Sequence, residues 1–377
     1  MALLNPAFNL EKENIFQEVM KRAKGRDEVV SLAVGDNPGP ISGVVLEELV
    51  NEALGFANPS GHKGYPPEEG TVELKRWINE VFYQGVFSLE EIFISDGIKT
   101  DLFRLQTLFG SRAHSAYFCP GYPTYKEGCQ IIGAPVTPIY LEPEKGFNPN
   151  CTNLPPFDVF YLCSPNNPTG VALDANQLGQ LIEQALYQNG IIVHDACYSP
   201  YIQDRNKPKT IFFTPESKKC AIELGSFSKW AAFSGIRLSW AVVPKELQFS
   251  DGSSVLKAYT SFLNATYNGV SWLSQQLGVA LLKRPHLFEV EVQKTMRRVE
   301  KIGSIFRILG FEVVGGEDCP YLLVKSDLDF LEKFGILTLP LNAFDPYYKG
   351  FSRVSGFVSE KVLEIVTTRL QNSLEKP

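Results

Sequence analysis

Histidine and paired cysteine are scarce in this 377-residue chain. It has four histidines, and its seven cysteines (119, 129, 151, 163, 197, 220 and 319) form no CxxC pair and no cluster with histidine. That excludes a zinc site of ordinary spacing and a disulfide framework, and it suits a reducing compartment. Basic runs are also missing. With 36 basic against 42 acidic residues the net charge is −6, so neither nucleic acid nor an anionic membrane is the expected partner. No window approaches ~18 uninterrupted apolar residues, and the N-terminus MALLNPAFNLEKEN lacks a basic start followed by an apolar core. The expectation is a soluble, unexported, cytoplasmic protein that acts on a small molecule. There is no internal repeat and no low-complexity segment.

The length exceeds the ~250–300 residues at which a single core stops growing, so two domains are expected. Residues 1 to about 30 read as an amphipathic helix carrying Ile15, Val19 and Met20, followed by a strand that breaks at VGDNPGPI. GHKGYPPEEG is a loop by its glycine and proline content. From Ser115 to Phe227, apolar segments alternate with helical ones: SAYFC, TYKEGCQIIG, PVTPIYL, DVFYLCS, IIVHDAC and CAIELGSF. The clearest helix has Leu178, Leu181, Ile182, Ala185 and Leu186 on one face, Asp174 at its start and Asn189-Gly190 at its end. Strands that are apolar throughout, separated by helices, predict an α/β fold with a mainly parallel sheet covered on both faces. After Val243, long helices and short strands predict a smaller α+β domain. The boundaries expected are 40–268 for the larger domain and 1–39 plus 269–377 for the smaller.

Ligands on such sheets bind beyond the carboxyl ends of the strands, and the chemically able residues fall there. FISDGIKTDLFRLQ joins a strand to a helix through Gly97, leaving free N–H groups at Gly97, Ile98 and Lys99 as an anion site. No GxGxxG or Walker pattern accompanies it, which argues against a dinucleotide or a nucleoside triphosphate. Lys229 lies in SFSKWAAFSGIR between Ser226 and Arg237, as a Schiff-base lysine flanked by phosphate ligands would. Asp195 ends IIVHD, where an ionised carboxylate keeps a pyridine nitrogen protonated. Asn167 and Tyr198 suit a phenolic oxygen, Tyr125 a stacking face, and Arg353 a substrate carboxylate. Each also has an ordinary account: a solvated loop lysine, a strand-end aspartate, an NNP turn, a buried tyrosine, a satisfied structural arginine. Their common demand is pyridoxal 5'-phosphate.

CSPNNPTG, HDACYSPYI, SFSKWAAFSGIR and FSRVSGF resemble the ordered signature of the class I/II, fold-type-I aminotransferases. FISDGIKTDLFRLQ, GYPPEEG, PGYPTY and YNGVS narrow the resemblance to the LL-diaminopimelate aminotransferase family, over essentially the whole chain. The resemblance implies that Lys229 is the Schiff-base lysine and proton shuttle, that Asp195 pairs with the pyridine nitrogen, and that Asn167 and Tyr198 hold the phenolic oxygen. Tyr125 would stack on the ring. Phosphate would be held by Gly97, Ile98, Lys99, Ser226 and Arg237, with Tyr65 reaching in from the other subunit of a homodimer. Arg353 and the backbone at Gly35 would take the substrate carboxylate, and Asn268 would touch substrate across the dimer interface. Three positions depart from the family pattern: Gly39 stands where GDTTEPIP has its acidic residue, Asn14 replaces a tyrosine, and GYP replaces GYG. A related aminotransferase of other or broader specificity is therefore carried as the alternative, and a cofactor-binding regulator without catalysis behind it.

Overall fold

The structure, a computed structural model, describes residues 5, 15–26 and 28–372. Seven strands among them form the larger sheet: β1 (Ile92–Ser95), β2 (Ser115–Cys119), β3 (Val136–Tyr140), β4 (Val159–Cys163), β5 (Ile191–Asp195), β6 (Ala221–Ser226) and β7 (Ser239–Val242). Their spatial order is β1-β7-β6-β5-β4-β2-β3. The run from β3 to β6 is parallel, and only β7 opposes its neighbours β6 and β1. All but β3 are buried at every residue. This is why these strands read as continuous apolar runs rather than alternating ones.

Before the smaller sheet come α1 (Ile15–Lys21), α2 (Gly43–Gly55), α3 (Val72–Tyr83), α4 (Ile98–Phe109), α5 (Thr124–Ile132), α6 (Ala175–Gln188), α7 (Val255–Thr266), α8 (Trp272–Leu282) and α9 (Pro285–Ile308). α8 packs against α2 and α3. α6 follows its sequence spacing: Leu178, Leu181, Ile182 and Ala185 are buried, and Asp174 and Gln177 exchange side-chain hydrogen bonds with each other's backbone N–H. At its far end Asn189 takes a left-handed conformation, φ 53°. TYKEGCQIIG is helical, and Tyr125, Gly128 and Cys129 bury one face of it. The crossing of α4 and α5 is so close there that a Cβ on Gly128 would lie 1.9 Å from Gln106 Oε1.

The smaller sheet is antiparallel, with β8 (Glu312–Gly315), β9 (Tyr321–Lys325), β10 (Leu339–Pro340) and β11 (Phe351–Ser355) in the order β10-β11-β9-β8. α9, α10 (Phe330–Phe334) and α11 (Glu360–Gln371) enclose its own apolar core, which includes Val299, Ile302, Phe306, Leu322, Val354 and Val366. Val30–Ser31 pairs parallel with Ile336–Leu337, tying the N-terminal segment to this side. From there residues 32–39 run past the carboxyl ends of the larger sheet. The architecture is therefore the expected one, a mainly parallel α/β sheet beside a smaller α+β unit.

Candidate active site

A cavity of about 380 Å³ opens where the two sheets and the N-terminal segment meet. Sheet register explains its wall. Cys163 at the end of β4 is paired with Asp195 at the end of β5, and Ser226 at the end of β6 is paired with Ser239, which also faces Ser95. One strand edge therefore presents residues that lie more than a hundred positions apart in sequence.

At one end, Ile98 and Lys99 open α4, where the first N–H groups have no intrahelical acceptor. Arg237 faces them from a left-handed backbone conformation, φ 63°. Its guanidinium is so near Gly97 that a Cβ there would lie 1.9 Å from Nη2, and Gly97 itself has φ 135°. The positive φ demands glycine at 97. Arg237 Nη1 donates to Ser234 O at 2.8 Å, and the Ser234 hydroxyl donates to Asp36. Ser226 lines the same end. Behind the turn, Ser239 Oγ accepts from Gly97 N at 2.8 Å and donates to Asp101 Oδ2 at 3.2 Å, with the Ser95 hydroxyl donating to the same carboxylate. Burial pushes the Asp101 carboxyl up to about 6, against the pull of Arg104 and the Ser95 hydroxyl.

Lys229 Nζ donates to Gly35 O at 2.6 Å. Burial holds its ammonium below the ordinary lysine value; Arg353 pushes the same way, and Cys197, Asp36 and Asp195 oppose. A larger neutral fraction makes the amine a better nucleophile toward a carbonyl. Asp195 accepts from the Tyr125 hydroxyl at 2.9 Å and from Cys197 N at 3.2 Å, and no ion pair reaches it among the described residues. Burial raises its pKa, while the Tyr125 and Cys197 hydrogen bonds hold it down. A buried carboxylate so placed favours a cationic group in the cavity.

Opposite stands Arg353, 1% exposed, whose Nη1 donates to Asn167 Oδ1 at 2.7 Å and whose Nη2 donates to Ala33 O at 2.6 Å. Its guanidinium carbon lies 4.3 Å from the centroid of the Tyr321 ring. Tyr198 meets Tyr321 hydroxyl to hydroxyl at 3.1 Å. This is a geometry suited to a carboxylate beside a polar ring.

The residues singled out in the sequence do not all line this cavity. Tyr125 does not line the cavity: it is 1% exposed, stacks on Tyr161 at 5.6 Å and 1°, and directs its hydroxyl at Asp195 from behind. Of the two tyrosines in PGYPTY, Tyr122 is the one on the cavity wall. The cause is helix phase, since Tyr122 precedes α5 between two turn residues whereas Tyr125 lies inside it and faces the sheet. The Gly97 N–H is also not free, because Ser239 accepts from it. Tyr65, 85% exposed, and the exposed Asn268 lie off this chain's cavity. Their segments touch each other, as a Cβ on Gly269 would lie 2.5 Å from Pro67 O. Gly39 is likewise outside the lining, with its N–H donating to Asn37 Oδ1 at 2.9 Å. Asn14 lies outside the described residues. Lys229, Asp195, Tyr198, Asn167, Ser226, Arg237, Ile98, Lys99, Gly35 and Arg353 all line one cavity. Sequence reasoning missed Tyr122, Tyr321 and Asp101; the two tyrosines of PGYPTY signalled the first, and no local pattern signalled the others.

Residues 27–370 match the family model described as aminotransferase class I and II. The chain is 35% identical over 371 residues to the LL-diaminopimelate aminotransferase of Protochlamydia amoebophila (strain UWE25), covering 93% of this chain and 90% of that one. It is 34% identical over 385 residues to the chloroplastic LL-diaminopimelate aminotransferase of Arabidopsis thaliana, covering 94% and 83%. The solved L,L-diaminopimelate aminotransferase from Chlamydomonas reinhardtii superposes with a TM-score of 0.92 at 30% identity, over 99% of this chain and 98% of that one. A Thermus thermophilus aspartate aminotransferase with maleate, at 21% identity and TM-score 0.84 over 99% of this chain and 100% of that one, shares the fold. A family match that runs through both sheets, on a fold that agrees from end to end, makes this chain a transaminase belonging to the class I and II aminotransferases.

Proposed function

We propose that the cavity binds pyridoxal 5'-phosphate and that the chain moves an amino group between LL-2,6-diaminopimelate and 2-oxoglutarate. The products are glutamate and an oxo acid that cyclises to tetrahydrodipicolinate, and in the biosynthetic direction glutamate is the donor. The observation that carries the reading is the convergence of Lys229, Asp195 and Arg353 on one cavity. The residues present fit the cofactor: a helix start and a guanidinium for a phosphate, a buried carboxylate for a cationic ring nitrogen, and a low-pKa amine for an aldehyde. When bound, the cofactor supplies that aldehyde and a ring that delocalises the electron pair left at the substrate's α-carbon.

Lys229 would hold the cofactor through its amine and is the base placed to take the proton from the substrate's Cα. Asp195 would keep a proton on the ring nitrogen. Ile98 and Lys99 N–H, Ser226 and Arg237 would hold the phosphate, Asn167 and Tyr198 would take the phenolic oxygen, and Tyr122 would have the ring-wall role first expected of Tyr125. Arg353 and Gly35 receive the α-carboxylate. The enzyme works as a cytoplasmic homodimer in which the exposed Tyr65 and Asn268, on neighbouring segments, serve the partner's cavity. Among the described residues no helix is long and apolar enough to cross a membrane. Residues 40–282 form the larger domain, its second boundary redrawn from 268 because α8 packs on α2 and α3.

The relatives named above support diaminopimelate; Gly39 and Asn14 favour a second reading, an aminotransferase of other amino-acid specificity. Single-turnover spectra with LL-diaminopimelate, its meso isomer and glutamate separate the two. Consumption of the visible band by the LL isomer is expected, and a band that answers to glutamate alone favours the second reading. Lys229→Ala should lower the transamination rate by at least about 10³-fold and abolish that band; a variant that keeps either contradicts the cofactor assignment.

A further inference from the structure

Tyr321 is carried by β9 of the smaller sheet, yet it lines the cavity among residues of the larger one. It is 1% exposed, and three neighbours fix it. Its hydroxyl is 3.1 Å from that of Tyr198, its ring lies 4.3 Å from the Arg353 guanidinium carbon, and a Cβ on Gly35 would come within 2.2 Å of its hydroxyl. Its backbone is pinned as well, since a Cβ on Gly170, in the loop after Asn167, would lie 2.2 Å from Tyr321 O.

Two phenols in contact share one hydrogen bond, and the better donor gives its proton. A cation over a phenol ring withdraws electron density and strengthens that phenol as a donor. Tyr198 therefore accepts from Tyr321 and keeps its own proton for an acceptor in the cavity. Burial raises both hydroxyls well above the ordinary tyrosine range, so both stay protonated.

We infer that Tyr321 is a positioning residue: across the junction of the two sheets it fixes the donor direction of the Tyr198 hydroxyl and floors the guanidinium of Arg353. This rests on the reading above, in which Tyr198 faces the cofactor's phenolic oxygen and Arg353 faces the substrate's carboxylate.

Two variants separate the two roles. Tyr321→Phe keeps the ring beneath Arg353 and removes only the hydroxyl, whereas Tyr321→Leu removes both. One readout is a pH titration of the visible absorbance of protein loaded with pyridoxal phosphate; the other is calorimetric binding of glutarate, an unreactive dicarboxylate, to cofactor-free protein. An oxygen that receives a weaker hydrogen bond holds its proton more tightly. The Tyr321→Phe midpoint should therefore rise by roughly 0.5–1 pH unit while glutarate affinity is unchanged. Tyr321→Leu should move the midpoint likewise and weaken glutarate binding roughly 5- to 30-fold, with phenylalanine restoring it. A Tyr321→Phe titration that superposes on that of the native protein overturns the inference, whether or not the leucine variant folds. Native protein that acquires no visible band, or Lys229→Ala protein that keeps one, overturns the cofactor reading and this inference together.

Discussion

Asp101 touches neither the cavity nor solvent, yet it holds the hydroxyls of Ser95 and Ser239 that set the turn at Gly97. Its carboxyl, raised from 3.8 to about 6, is more easily ionised in the unfolded chain than in the folded one. The protonated form favours folding, so this contribution is complete below about pH 4 and declines as pH rises through about 6. The stability of the native protein relative to Asp101→Asn should thus fall by on the order of 3 kcal/mol between about pH 4 and about pH 6. Denaturant titrations across that range measure it, and a difference independent of pH contradicts the account. At this scale much of the site was legible. Lys229, Asp195 and Asn167 stand at strand ends beside turn residues, where sequence marks them. Tyr321 and Asp101 carry no such mark, because a tyrosine in a strand and an aspartate in a helix look ordinary until their neighbours are known.

Among the elements, α6 shows sequence pattern and structure in agreement: four buried apolar residues on one face, a reciprocal cap at Asp174, and a left-handed end at Asn189. Asp174→Ala removes an acceptor from Gln177 N at 2.8 Å and should cost about 1 kcal/mol in urea unfolding, with the visible spectrum of the loaded protein unchanged. No loss of stability would show that neighbouring packing alone holds the helix start. α5 marks the limit of such pattern reading. Its nine residues suit a strand or a helix by composition, and only its close crossing with α4 decides. That choice has a functional consequence, since helix phase turns Tyr125 to the sheet and leaves Tyr122 on the cavity wall.

For the whole molecule, the cavity depends on two separate cores meeting beside the N-terminal segment. Tyr65 and Asn268 are exposed and lie off their own cavity, on segments that touch at Gly269 and Pro67, and the proposed dimer would share its sites through them. Lys229→Ala and Tyr65→Ala proteins, each deficient alone, should regain about a quarter of the native sites when mixed and exchanged, because a hybrid dimer carries one site with neither defect. Activity that stays at the sum of the separate proteins argues against sharing. By itself the sequence determined the strand-and-helix alternation and the places of the lysine and aspartate beyond or at strand ends, since each is written in local pattern. The tertiary structure alone decided which tyrosine faces the cavity, that the Gly97 N–H already serves Ser239, and that Tyr321 reaches across from the other sheet. Periodicity tells which face of an element is buried; what lies against that face depends on how distant elements pack.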